Sequence, residues 1–376
     1  MARLLRWTRP LRRAAARLGV LRDPLGPVTR AVARWLDAEA RAAFERSGVP
    51  GLAVVVRLPD GREVARHFGT AGGGAPLVPE TRFQVLSLTK PVTAMLALAL
   101  VDDGLVTLDA PLLPAAGWTL PRHRTGGFDP DAITLRRVLS HDAGLSVKGY
   151  GWTDAGTSRP ARELLDLESD PERTLRLVAR PGSGLRYSGG GFTLVEQLVE
   201  HGTGARFPEV ARRRLLAPLG ISASGYEPSQ GLSPSLSERH DEAGRVLPRA
   251  GVASTGSSGL VATASELARL WSVPSDGRRG APAGAGVLSP NACAAMLTPH
   301  AADAAGATCG LGVFVNERRG ELRYAHVGHD PGWTHHAEGL RRRGAVTVVL
   351  ANRSGAETLV DPIARGIRAR LLDGLP

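Results

Sequence analysis

Cysteine and lysine are scarce in this chain and long apolar runs are missing from it, and each of these bears on what the protein can be. The 376 residues hold 2 cysteines, Cys293 and Cys309. Two are too few for a disulfide framework and show no metal spacing, so both are expected to be buried thiols in a reducing compartment. No run approaches the roughly 18 apolar residues that a transmembrane helix needs. Arg12-Arg13 form a twin-arginine pair, but Arg17 and Arg22 interrupt the apolar stretch that an export signal requires. No signal peptide is read, and a cytoplasmic protein is expected, with export left open.

Of 47 basic residues only Lys90 and Lys148 are lysine. A chain that otherwise writes positive charge as arginine keeps lysine at 90, and lysine, unlike arginine, can give up its proton and act as a base. The formal net charge of +11 suggests nucleic acid, yet the arginines are scattered among acids, so none is expected as a partner. Only the N-terminus is one-sided: Arg3, Arg6, Arg9, Arg12, Arg13, Arg17 and Arg22 precede the first acid, Asp23. Residues 1–27 are read as a solvated basic tail, with a membrane-surface or partner-binding arm as the alternative. Apolar content of 43% with 22% charge is that of a globular chain.

The stretch from Phe83 to Leu96 carries the first chemistry. Ser87 and Lys90, three residues apart at the start of an apolar run of helical period, share one helix face about a turn apart. Pro91 suits a first helical turn. Ser87 is thus expected at a helix N-terminus, where the partial positive charge favours an alkoxide and a free N–H can hold an oxyanion. A second stretch, Pro181 to Phe192, sets Tyr187 on a glycine-rich turn before a helix, aimed to relay a proton. A third, His326-Val327-Gly328-His329, lies at a strand end where glycine admits a substrate, and the His329 N–H is a candidate second oxyanion donor.

Periodicity predicts a helix over 28–46, a hairpin of 52–58 and 63–68 around Pro59-Asp60-Gly61, and a helix from Ser87 to about Asp103. Helices are read at 133–139, 192–199, 208–216, 264–272 and 289–297, and 225–256 is read as a long loop. The tail changes period, with strands at 312–316, 323–326, 333–338 and 345–350, then a helix over 356–372. These elements imply an α+β fold: one antiparallel sheet built from both chain ends and flanked by helices, with a mainly helical insertion. The expected division is 28–105 with 257–376 for the sheet unit and 106–256 for the helical one.

These stretches together resemble the serine β-lactamase and penicillin-binding-protein-like hydrolases, closest to the class C and esterase branch. Ser87-Leu88-Thr89-Lys90 resembles S-x-x-K, Tyr187-Ser188-Gly189 resembles Y-x-N, and His326-Val327-Gly328 resembles K-T-G in its H-x-G form. Ile133 to Leu145 is similar to a structural segment of that family, and the likeness covers about residues 45–370. The resemblance implies Ser87 as acyl-accepting nucleophile, Lys90 with Tyr187 as its base, and the N–H groups of Ser87 and His329 as oxyanion donors. It implies no metal or cofactor, and a small-molecule ester or amide as substrate. One departure is Gly189 in place of the asparagine that meets a substrate amide, which points away from β-lactams. His326 in place of lysine, with an ordinary histidine pKa near 6.5, predicts that substrate carboxylates bind better as pH falls.

Rival readings remain. A metal site built from His326, His329, His335 and His336 is disfavoured because alternate strand residues point apart and no H-E-x-x-H occurs. No G-x-S-x-G is present for an α/β-hydrolase. β-Lactamase or D-amino-acid peptidase activity, an acyltransferase using the same acyl-enzyme, and a non-catalytic binding module stay open, as does the oligomeric state.

Overall fold

The computed structural model describes residues 25–153, 158–226, 235–275 and 283–375. The basic segment 1–24 lies outside the described residues. The centre is a nine-stranded antiparallel sheet drawn from both ends of the chain. Its strands are β1 (Gly51–Arg57), β2 (Glu63–Gly72), β3 (Ala75–Pro76), β4 (Ala301–Ala302), β5 (Thr308–Cys309), β6 (Phe314–Arg318), β7 (Glu321–Asp330), β8 (Trp333–Leu340) and β9 (Ala345–Ala351). The spatial order is β4-β5-β6-β7-β8-β9-β1-β2-β3, so the first strand pairs with the last, Leu52 opposite Ala351 and Val56 opposite Thr347.

Strands β1 and β9 are apolar without interruption because both their faces are covered. Leu52, Val54, Val56, Val349 and Ala351 enter one core, under α1 (Gly26–Trp35) and the final helix α5 (Glu357–Gly374). Ala53, Val55, Val346, Val348 and Leu350 alternate into the other, with α2 (Thr89–Asp102), α3 (Gly189–Thr203) and α4 (Ala264–Trp271). The period of two along each strand thus sorts residues between two helical layers. The first amphipathic stretch is helical to Ser47, but with a π turn at Leu36–Ala40, and ends at Gly48 with φ of 66°. In the expected long loop, short strands form at Arg239–His240, Val246–Leu247 and Gly251–Val252. Cys293 and Cys309 are both buried. Among the described residues no helix is long and apolar enough to cross a membrane.

On the outer face of β8, Glu338 accepts from Arg323 at 2.6 Å, His336 at 3.1 Å and Arg368 of α5 at 2.5 Å. Burial pushes the Glu338 carboxyl up, but these cationic partners outweigh it and hold the pKa at about 2. His336 also meets Asp361 at 3.3 Å; burial lowers its pKa, and the two carboxylates more than reverse that.

Candidate active site

Ser87 stands two residues before α2, on a 3-10 turn spanning Leu86–Leu88, rather than on the α-helix itself. Leu86 takes a left-handed φ of 53°, a conformation that costs a leucine free energy and persists only where packing imposes it. It is imposed here by full burial of Leu86 and by bonds on either side, Val85 N–H to the Leu260 carbonyl at 3.0 Å and Leu88 N–H to that of Val85 at 3.1 Å. The turn lifts Ser87 into a half-buried position while Lys90, in the first turn of α2, is only 1% exposed. Pro91 follows in that same turn, where no N–H is required.

Lys90 Nζ lies 3.1 Å from Ser87 Oγ and 3.0 Å from the Ser257 carbonyl. Tyr187 Oη reaches the same Ser87 Oγ at 3.0 Å. The Tyr187 and Phe192 rings flank Lys90 at 5.1 and 5.7 Å from its nitrogen, within cation–π range. Tyr187 is delivered by the turn before α3, whose cap Ser188 accepts from Gly191 N–H at 3.1 Å and donates to the Val147 carbonyl at 2.9 Å. The glycines there are a packing requirement. A Cβ on Gly189 would stand 2.4 Å from the Lys148 carbonyl oxygen, and one on Gly190 would stand 2.7 Å from Leu175.

Strand β7 forms the opposite wall. A Cβ on Gly328 would come 2.7 Å from the Val85 carbonyl oxygen, so this glycine lets the strand backbone close on the Leu86–Leu88 turn. Side chains alternate from there: His326 is buried, and His329 turns outward to Glu357 at 2.8 Å, beside a cavity of about 660 Å³ that it lines with Asp330 and Trp333. His329 can therefore serve Ser87 only through its backbone. The histidines do not gather: His335 is fixed to the Gln84 carbonyl at 3.0 Å and His336 faces Glu338, and no metal-holding group of three ligands occurs among the described residues.

His326 departs from expectation. Burial, then the charge of Lys90, pulls its pKa down to about 3, so the ring is neutral across the physiological range and does not titrate near 6.5. Its Nδ1 donates to the Val327 carbonyl at 2.7 Å, leaving Nε2 as a bare acceptor. His141, quoted in the sequence only within a structural segment, enters the site as well. Its ring lies 4.3 Å from that of Tyr187, and Nδ1 accepts the Ser188 N–H at 3.1 Å, so the ring proton sits on Nε2. Burial, Lys90 and His326 push its pKa well below the usual value. Neither ring's Nε2 has a protein partner. Sequence reasoning also missed Ser257, which contributes a main-chain carbonyl that any residue type would supply.

The chain is 29% identical over 217 residues to a lovastatin esterase of Penicillium rubens, covering 51% of this chain and 53% of that one. It is 28% identical over 279 residues to esterase EstB of Burkholderia gladioli, covering 63% and 69%. The match thus spans about half the length of the first relative and somewhat more of the second. Among solved structures, SurE superposes with a TM-score of 0.71 at 26% identity, over 93% of this chain and 77% of that one. The family described as Beta-lactamase matches residues 36–371, and a match over nearly the whole described chain makes the protein a member of the beta-lactamase family.

Proposed function

We propose that the protein is a serine hydrolase that forms an acyl-enzyme on Ser87 and acts on uncharged esters or small amides. The observation that carries this reading is the convergence of Lys90 and Tyr187 on one Ser87 Oγ, at 3.1 and 3.0 Å. Lys90, as base, takes the Ser87 proton as Oγ attacks the substrate carbonyl. The N–H groups of Ser87 and His329 hold the oxyanion, and Gly328 permits the close strand approach that this needs. Collapse of the tetrahedral species expels the leaving group, which receives its proton through Tyr187. Water, deprotonated by the same pair, then attacks the acyl-enzyme and restores Ser87.

Esters and small amides are favoured over β-lactams for two reasons. Gly189 has no side-chain amide, and the Lys148 carbonyl leaves no room for one. His326, neutral and accepting at Nε2, offers a substrate carboxylate no positive charge. The esterases among the relatives support the same reading. The test is intact-mass spectrometry after incubation with a fluorophosphonate and with p-nitrophenyl acetate. A single adduct that Ser87→Ala abolishes is expected, with turnover of simple esters well above that of nitrocefin. An adduct that persists in Ser87→Ala overturns the assignment.

A further inference from the structure

Glu196 is the one acid among the described residues sealed between the helix of the nucleophile and the helix of the tyrosine, and the mechanism above does not use it. It sits on α3 two turns beyond Tyr187 and is 3% exposed. Its Oε2 accepts the Gly256 N–H at 2.7 Å and the Ser254 hydroxyl at 3.4 Å. Ser254 is the cap of a single helical turn, Thr255–Ser258, wedged between α2 and α3. From α2, Thr93 donates to the Gly256 carbonyl at 2.6 Å and Lys90 to the Ser257 carbonyl at 3.0 Å. The peptide groups that Glu196 grips are therefore contiguous with the one that holds Lys90. Contact is tight enough that a Cβ on Gly256 would stand 2.9 Å from Glu196 Cβ.

We propose that Glu196 is a positioning residue for the nucleophile's base, acting through the Ser254–Ser258 turn on the carbonyl that fixes Lys90. The inference rests on the Ser87 acyl-enzyme reading. Among the described residues no arginine or lysine forms an ion pair with Glu196. Burial raises its pKa to about 8, and Glu200, one turn along α3, adds to this against the opposing bonds from Gly256, Thr255 and Ser254. The other titratable groups that feel its charge are the phenols of Tyr150 and Tyr226, both pushed upward by burial and so uncharged. Lys90 meets the turn from the α2 side, through Ser257. A carboxyl in these surroundings is protonated at neutral pH, and ionising it puts an unpaired charge under the turn.

Glutamine reproduces the uncharged form and alanine removes the grip. Glu196→Ala is expected to lower kcat about 30-fold with KM within about threefold, because orientation of the base is lost and substrate contacts are not. Glu196→Gln is expected to keep both constants within about threefold at pH 7 and to hold its kcat above pH 8, where that of the parent declines. Lys90 and Lys148 are the only lysines, so 13C-lysine NMR shows two side-chain signals, assigned with Lys148→Arg. The Lys90 signal should move in Glu196→Ala and stay in place at pH 7 in Glu196→Gln, whether or not the protein turns over any ester. An unmoved Lys90 signal in a folded Glu196→Ala overturns the proposal. So does a Glu196→Gln as impaired as alanine, since an ionised carboxylate would then be required. Should alanine fail to fold, a glutamine variant that still shows the parent's decline above pH 8 overturns it equally. Absence of Ser87 labelling in the parent would fail the hydrolase reading, while the lysine signals report separately on Glu196.

Discussion

Lys90 has two acceptors and two flanking rings, and every one of these contacts would tolerate a cation that never lets go of its proton. Arginine in its place therefore separates charge from basicity. Lys90→Arg and Lys90→Ala should each lower kcat/KM by about 10² to 10⁴, the range that a positioned base contributes. An active arginine variant would reduce Lys90 to an electrostatic aid. His326 gives a second expectation at this scale. With the ring neutral down to about pH 3, KM for a matched carboxylate-bearing and neutral ester should run parallel from about pH 5.5 to 8.5. A carboxylate preference that grows as the medium acidifies would show the ring titrating after all. That His326 occupies the wall of the site follows from its spacing to Gly328. Its neutrality does not, because burial by Tyr187 and Phe314, with rings 6.0 and 5.4 Å away, is a property of packing that no short motif carries.

Three elements bring Ser87, Lys90, Tyr187 and His326 together: the Leu86–Leu88 turn with α2, the turn entering α3, and β7. Where they touch, glycine is the hinge of the arrangement. Gly328→Ala must push β7 off the Val85 carbonyl, and about a tenfold loss of kcat is expected with only a few degrees' loss of Tm. Gly189→Asn, which would graft the missing amide onto the Tyr187 turn, meets the Lys148 carbonyl instead. It should cost about 1 to 3 kcal/mol of stability, read from urea melts, and yield no gain in nitrocefin turnover. These elements were legible in the sequence because side-chain identity marks them: Ser and Lys three apart before an apolar run, Tyr before a glycine run, His-x-Gly closing a strand. The Thr255–Ser258 turn was not, since it acts through backbone groups and lies within a stretch of Gly, Ser and Thr that reads as loop. The short pairing of Arg82–Gln84 with Val261–Thr263 was missed for a related reason, three residues being too few to display a period.

Across the molecule, buried histidines govern the response to acid. His141, His326 and His335 have pKa values depressed by burial, the last two to about 3. The stability tied to them is complete above the unfolded value near 6.5 and drains away as pH falls from there, because only the unfolded chain takes up the protons. His336 and Glu196 run the other way: the raised pKa of His336 contributes below about 6.5 and is lost on the alkaline side, and Glu196, raised to about 8, contributes more as pH falls from there toward 4.5. Glu338 adds nothing to the loss until pH drops below about 4.5 toward its folded value of about 2. Scanning calorimetry should show Tm falling by roughly 5 °C from pH 7 to pH 5. A flat or rising profile there would mean that the losses from these rings do not outweigh the gains from His336 and Glu196. The antiparallel sheet assembled from both termini was visible in the change of period along the tail, whereas the split of its residues between two helical layers needed the register of β1 on β9. That register has a consequence for biosynthesis. Residues 51–57 leave the ribosome ahead of the partner strand 345–351, which follows on the order of 15 to 60 s later at ordinary rates of synthesis. Through that interval one edge of β1 is bare, and Ser87 with Lys90 is already made but lacks the strand wall at Gly328. The site therefore stays incomplete until β7 and β9 have emerged, and until then the unpaired edge at Leu52 to Val56 is one that a chaperone covering strand edges would recognise.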